Sequence, residues 1–136
     1  MIIRGEHGQK IYLEIEGDKR NDDNWLIVKV NVQLKAVEWK ASDRCLRLSE
    51  FKELIEWFET IERNEEMESD YLEFLEPEIS FKFCSKPNEQ LKTIQLFLSY
   101  NLLPNNLKKE QSIEFLVSKK ELKRIIKDLK NEVGSK

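Results

Sequence analysis

The sequence has very few of the residues from which catalytic and metal centres are usually built. Its 136 residues include one histidine, two cysteines and four glycines. His7 lies in a Gly-Glu-His-Gly turn with no nucleophile fixed beside it, so we predict no Cys-His or Ser-His pair. Cys45 and Cys84 are far apart and form no CxxC pair, which argues against a zinc site of the usual ligand spacing. Since no glycine falls in a phosphate-binding pattern either, we expect no metal and no cofactor.

The chain also lacks long apolar runs. No stretch approaches the roughly 20 apolar residues that cross a bilayer, and the first residues show no basic region followed by an apolar one. Two isolated thiols are typical of a reducing compartment. These absences predict a cytoplasmic protein with no membrane contact and with both cysteines reduced.

Length and composition predict one globular domain over residues 1–136. A chain of this length can bury a hydrophobic core without support from a disulfide or a metal. The hydrophobic fraction is 40% and the charged fraction is 36%. Because the charges lie among the apolar positions rather than replacing them, the composition argues against disorder.

Charge is distributed unevenly along the chain. Residues 50–78 carry twelve acids and two bases, a local net charge of −10. Residues 79–136 carry twelve bases and six acids, a local net charge of +6. Charge of this kind acts on association and on the choice of partner rather than on the fold.

Period-2 alternation indicates an antiparallel sheet. In residues 26–34 every second side chain is apolar, and the polar side chains between them point the other way. The same alternation runs through residues 11–15, 79–83, 94–100 and 113–117. A strand of this kind has one face on the core and the other in water, as in antiparallel sheets.

Two segments change to helical spacing. Apolar side chains between residues 48 and 61 form one stripe, and we expect Ser49 to cap its first turn. A second stripe over residues 122–133 is preceded by a capping box of Ser118 and Glu121. Strands without crossover helices between them exclude a doubly wound parallel sheet. We therefore predict an α+β fold, in which one twisted antiparallel sheet of about six to eight strands has both helices packed on its apolar face.

Two further classes of function are disfavoured. Residue types leave a paired-acid hydrolase open, with Glu73, Glu76 and Glu78 on or near strands. Such a pair needs one desolvated acid, and dense acidic runs usually stay solvated, so we expect no enzyme. The lysine-rich face of the last helix lacks interleaved aromatic residues, and the whole chain has a net charge of −3, so we expect no binding to nucleic acid.

Five short stretches, which follow in order through most of the chain, carry a resemblance to a known family. They are Asp23-Asn24-Trp25-Leu26, Cys45-Leu46, Leu54-Ile55-Glu56-Trp57-Phe58, Leu72-Glu73-Phe74-Leu75-Glu76-Pro77-Glu78 and Phe97-Leu98-Ser99-Tyr100. With them the chain resembles the small bacterial immunity proteins of the WapI type, partners of wall-associated contact-dependent toxins. None of these residues is a catalytic signature. The resemblance implies a non-enzymatic inhibitor that binds the C-terminal nuclease domain of a toxin in the cytoplasm of the producing cell.

The charge distribution and the resemblance together predict a surface for a basic protein partner. Nucleases need a basic surface for their substrate, and an acidic protein can occupy that surface with fast association. Loops on a rigid scaffold present side chains to partners, whereas single charges on an outer helix face contribute little. The predicted partner-binding residues are the loop acids Asp22, Asp23, Glu65, Glu66, Glu68 and Asp70. The alternative is a regulatory or structural interaction module whose partner is unknown.

Overall fold

The computed structural model describes residues 1–5, 8–17, 24–85, 90–104 and 109–134. These residues form eight strands, two α-helices and one short 3-10 helix over Tyr100–Leu102. His7, Asp22 and Asp23 lie outside the described residues. The side chains of residues 133 and 134 are likewise outside this description.

The first four strands form one antiparallel sheet. They are β1 (Ile2–Arg4), β2 (Lys10–Gly17), β3 (Trp25–Gln33) and β4 (Glu38–Arg47), and they are ordered β1-β2-β3-β4. The register pairs Leu13 with Val30 across β2 and β3, so the apolar positions of the two strands share a face. Consecutive strands are neighbours, which is the simplest arrangement for alternating strands joined by turns.

The last four strands form a second antiparallel sheet. They are β5 (Tyr71–Leu72), β6 (Ile79–Phe83), β7 (Lys92–Leu98) and β8 (Gln111–Val117), again in sequence order. Phe81 lies opposite Leu96, and Leu96 lies opposite Ile113, so one face of this sheet is also apolar. Strand β5 is only two residues long, and it ends before the turn at Pro77.

The prediction of a single sheet was therefore wrong, whereas the α+β class and the antiparallel pairing are confirmed. Alternation shows which side chains share a face, but it does not show which strands are hydrogen-bonded neighbours. Helix α1 (Leu48–Glu62) separates β4 from β5 in the chain, and the ladder does not continue across it. The helices also do not cover one face of one sheet, since α2 (Lys119–Gly134) contacts both β2 and β8 and packs against α1.

Each end of helix α1 is fixed by hydrogen bonds between residues that are close together in the sequence. Its N-cap is Arg47, whose backbone N–H donates to Oε1 of Glu50 at 2.9 Å, so the prediction of Ser49 as the cap was wrong. At the other end Asn64 adopts a φ of 56°, which asparagine tolerates better than most residues. The N–H groups of Asn64 and Glu65 donate to the carbonyls of Ile61 and Thr60, which is the Schellman arrangement. The helix therefore ends directly before residues 64–70, which contain several of the predicted loop acids.

Helix α2 is capped as the sequence predicts. Glu121 N–H donates to Ser118 Oγ at 3.2 Å, and Ser118 N–H donates to Glu121 Oε1 at 3.3 Å. Leu122, Ile125, Ile126 and Leu129 are buried, as the stripe predicts. Both ends of the box satisfy amides that the first helical turn would otherwise leave unpaired.

Ser118→Ala is expected to lower the free energy of unfolding by roughly 0.5–2 kcal/mol, because the Glu121 N–H loses its acceptor. Urea denaturation followed by circular dichroism measures the change. Ser49→Ala is the matched control, since Ser49 lies inside α1 rather than at its cap, and it should be neutral or slightly stabilising. Superimposable denaturation curves for the parent and Ser118→Ala would show that the box does not stabilise the fold.

The core is one continuous cluster to which both sheets and both helices contribute. Its fully buried aromatic side chains are Phe51, Phe58, Phe81 and Phe115. Trp39 and Trp57 are also buried, and Trp39 Nε1 donates to the Leu102 carbonyl at 2.9 Å. This cluster fixes the positions of the loops that leave α1 and enter β6.

Candidate functional site

The acidic loop, defined as residues 64–70, follows α1 directly. The four predicted acids that the structure describes in it, Glu65, Glu66, Glu68 and Asp70, are all exposed. Met67 is partly buried against the core and fastens the middle of the loop. The Asp70 carbonyl accepts a hydrogen bond from Phe83 N–H at 2.8 Å, which fastens its end to β6. The backbone is thus held while the carboxylates face solvent.

Most of the loop acids carry a charge that is not paired with any residue in the described part of the chain. Glu65 Oε1 lies 3.6 Å from the Arg63 guanidinium, and both side chains are exposed. Within the described ranges, Glu66, Glu68 and Asp70 form no ion pair. The exposed Arg63–Glu65 pair contributes little to stability. Because the other three acids have no such pair in the described ranges, most of the negative potential of the loop is available to a partner.

The acids of α1 differ from those of the loop because α2 lies beside them. Lys130 Nζ is 3.1 Å from Glu59 Oε2, and Lys123 Nζ is 3.9 Å from Glu62 Oε1. The linear charge distribution, which separates residues 50–78 from the basic C-terminal part, could not show this juxtaposition. The packing of α1 against α2 therefore neutralises part of the acidic segment, at Glu59 and Glu62.

Two exposed apolar side chains follow the acidic loop. Tyr71 is 47% exposed and Leu75 is 66% exposed, and Glu73 lies between them in the sequence. Lys82 Nζ lies 5.1 Å from the centre of the Tyr71 ring, so one face of the ring carries a cation. Sequence reasoning missed this pair, because the exposure of single apolar side chains leaves no periodic pattern in the sequence. Tyrosine is enriched at binding hot spots, so an exposed tyrosine and leucine among acids are suited to a protein interface.

Glu50 holds the segment that carries Leu75 against the start of α1. The residue is 4% exposed, and Oε2 accepts a hydrogen bond from Leu75 N–H at 2.8 Å. Oε1 accepts from Arg47 N–H at 2.9 Å and lies 3.3 Å from Arg47 Nε. Burial alone would raise the pKa of Glu50, but the hydrogen bonds from Leu75 and Arg47 and the Arg47 charge outweigh it, and the pKa is lowered. Glu50, the first acid of the acidic segment, is therefore a buried carboxylate that stabilises the fold rather than a group available to a partner.

Glu78, the last acid of that segment, is also buried, at 7% exposed, but its surroundings differ. Burial raises its pKa, its own backbone N–H offsets part of the rise, and the carboxylates of Asp43 and Glu76 add to it. Asp43 and Cys45 come from β4, and one ligand-type atom from each of Asp43, Cys45 and Glu78 lies within 4.8 Å of the other two. Burial raises the pKa of the Cys45 thiol strongly, and the Asp43 charge raises it further. Such a group can share protons or hold a cation.

The two cysteines are free, Cys45 buried and Cys84 exposed. Among the described residues, no helix is both long and apolar enough to span a membrane.

Comparison with known protein families gives a match that covers nearly the whole chain. The model of a family described as the immunity protein WapI-like family matches residues 1–135 of the chain. No curated protein and no solved structure matches it.

Proposed function

The chain belongs to the immunity protein WapI-like family, and we propose that it protects the producing cell by binding and neutralising a cognate toxin domain in the cytoplasm. The observation that carries this proposal is the family match over residues 1–135, nearly the whole chain. A protein of this kind acts by occupying its partner rather than by turning over a substrate. The proposal therefore requires a rigid, accessible surface and no catalytic centre.

The acidic loop and the adjoining exposed residues are the proposed contact surface. Glu66, Glu68 and Asp70 are exposed and form no ion pair within the described ranges, so their charges are accessible to a partner. Tyr71 and Leu75 supply apolar area beside these charges. Charges in the outer part of an interface speed the encounter, and buried apolar or aromatic side chains slow dissociation.

This chemistry supports a basic partner, and a nuclease domain is the proposed one. An enzyme that binds RNA or DNA presents Lys and Arg to the phosphate backbone. A negatively charged loop on a scaffold of net charge −3 is electrostatically complementary to such a surface. By covering it, the loop would exclude the substrate without contacting the catalytic residues.

Co-expression tests the function directly. The partner to use is the C-terminal domain of a large secreted toxin, if one is encoded beside this chain. We expect cells that produce the toxin domain to survive only when this protein is produced as well. Unchanged killing by the neighbouring toxin domain, or a setting among metabolic genes with no toxin, would count against the proposal and favour an interaction module of another kind.

Reversal of Glu65, Glu66 and Glu68 to Lys is expected to slow association with the toxin domain by about tenfold or more at low salt. The effect should shrink at high salt, because the Debye length falls from about 10 Å at 0.1 M to about 3 Å at 1 M. The three side chains are exposed, so the melting temperature should change little. Stopped-flow mixing over a range of salt concentrations measures the association rate.

The matched control reverses three other exposed acids, Glu14, Glu38 and Glu114, which lie on strands or at their ends. Both triple variants change the net charge by the same amount, so the control separates the position of the charge from its total. We expect the control to retain most of the parent rate. Equal slowing in both variants would mean that net charge matters and that the acidic loop is not the contact surface.

A further inference from the structure

We propose that Asp43, Cys45 and Glu78 form a binding site for one divalent transition-metal ion of the zinc type. The site is separate from the acidic loop, and the proposal does not depend on the proposed function. The sequence alone led us to expect no metal, because its His and Cys residues do not have the usual ligand spacing along the chain. Here two ligands come from β4 and the third comes from a distant segment.

The backbone brings the three side chains together by specific local features. Asp43 and Cys45 are two residues apart on β4, so they share the face of that strand on which Trp39 is also buried. The register of β3 with β4 shifts so that Leu26 pairs with Leu46 and Ile27 with Arg44, which makes Cys45 the extra residue of a β-bulge. Bulges re-aim a side chain and are frequent next to functional sites.

Glu78 approaches from the other sheet. It directly precedes β6, and its carbonyl accepts a hydrogen bond from Ser99 N–H at 2.9 Å. Its carboxylate, the Asp43 carboxylate and Cys45 Sγ each offer one atom, and these atoms lie within 4.8 Å of one another. An ion at this point would connect β4 of the first sheet to the start of β6 in the second.

The second observation is the unpartnered oxygen of Glu78. The side chain is more than nine-tenths buried, and within the described part of the chain Oε2 has no hydrogen-bond partner. Leaving a buried polar atom unpaired is costly, and the nearby Asp43 carboxylate makes a negative charge there costlier still. A divalent cation would satisfy this oxygen and would replace the repulsion between the two carboxylates with attraction of both to the ion.

The donor set favours a particular class of metal. A thiolate with two carboxylates suits zinc or cobalt(II), whereas magnesium and calcium prefer oxygen donors alone. Tetrahedral coordination with Zn–S of about 2.3 Å and Zn–O of about 2.1 Å places neighbouring donor atoms about 3.4–3.6 Å apart. The three ligand atoms lie within 4.8 Å of one another, so small side-chain rotations would bring them to these distances. Water would complete the fourth position.

Cobalt(II) titration of the chelator-treated, full-length protein tests the site. We expect one equivalent of cobalt(II) to bind with the near-ultraviolet charge-transfer absorption of a cobalt–thiolate bond. Cys84→Ser is the matched control, because Cys84 is the other thiol and is exposed, and it should keep the absorption. Cys45→Ser should abolish it. An absorption that disappears in Cys84→Ser but persists in Cys45→Ser, or no stoichiometric binding by the parent, would overturn the proposal.

Thermal unfolding gives a second readout that does not depend on the thiol. At free zinc of about 100 times its Kd, the melting temperature of the parent should rise by roughly 10 °C relative to protein in chelator. Glu78→Gln has nearly the same shape and removes the buried charge, so it should fold at least as stably as the parent in chelator. It should lose most of the rise with zinc. A full zinc-dependent rise in Glu78→Gln and in Asp43→Asn would show that the ion binds elsewhere.

Discussion

Phe81→Ala is expected to lower the free energy of unfolding by about 3–5 kcal/mol, a large share of the roughly 5–15 kcal/mol that holds a typical domain folded. The Phe81 side chain is fully buried on β6. Its ring centroid is 5.8 Å from the centroids of both Trp57 and Phe58 on α1. Truncation leaves a cavity between the second sheet and the helix, and it removes the aromatic contacts that join them.

Urea denaturation followed by tryptophan fluorescence measures this loss, and Trp57 reports on the contact itself. Phe97→Ala is the matched control, because it removes the same side chain from a half-buried position on β7. The control should cost clearly less than Phe81→Ala, with a similar dependence of stability on urea. Equal losses in the two variants would contradict the packing of α1 on the second sheet.

The elements that could be predicted from the sequence are those whose signals are local. Helix α2 is the clearest case, since Ser118 and Glu121 cap each other across three residues and Leu122 starts the stripe that is buried. The strands with clean alternation, such as β3 and β7, were predicted for the same reason. Each of these signals lies within a few residues of the structure it specifies.

The partition of the strands into two sheets could not be predicted in this way. Hydrogen-bonded pairing joins residues that are distant in the chain, and one apolar face is compatible with either arrangement. Strand β4 has only a weak signal in the sequence, because its inward positions include Ala41, Asp43 and Cys45 rather than large apolar residues. The weak alternation of those positions reflects small and polar side chains, of which Asp43 and Cys45 lie close to Glu78.

In the candidate surface, too, some features follow from local sequence signals and others depend on distant contacts. The exposure of Glu65, Glu66 and Glu68 could be predicted from an unpatterned acidic run. The burial of Glu50 and Glu78, at the two ends of the acidic segment, could not, because each depends on a contact far away in the chain. Charge counts treat all twelve acids of this segment alike, although packing gives them different roles.

Glu50→Gln is expected to lower the free energy of unfolding by about 1.5–3 kcal/mol at neutral pH, the range for hydrogen bonds to a charged group. The carboxylate accepts from two backbone N–H groups, those of Arg47 and Leu75. The amide of glutamine offers one oxygen, so its NH₂ group must face one of these donors. The change loosens both the start of α1 and the segment that presents Leu75. Chemical denaturation measures the loss of stability. Glu53→Gln, an exposed change of equal charge on the same helix, should stay within about 0.5 kcal/mol of the parent.

The pH dependence separates this role from a purely steric one. Because the folded-state pKa of Glu50 is lowered from the ordinary 4.5, its contribution is fully present above about pH 4.5. The contribution is lost as the pH falls below 4.5 and through the lower folded-state pKa, where the folded protein also takes up the proton. Glu50→Gln carries no titrating group at this position, so its deficit relative to the parent should be largest at neutral pH and should narrow as the pH falls below 4.5. A deficit that stays constant from neutral pH down to acid unfolding would mean that the shape of the side chain matters and its charge does not. In that case Glu50 would not be the anion that fixes the Leu75 segment to α1.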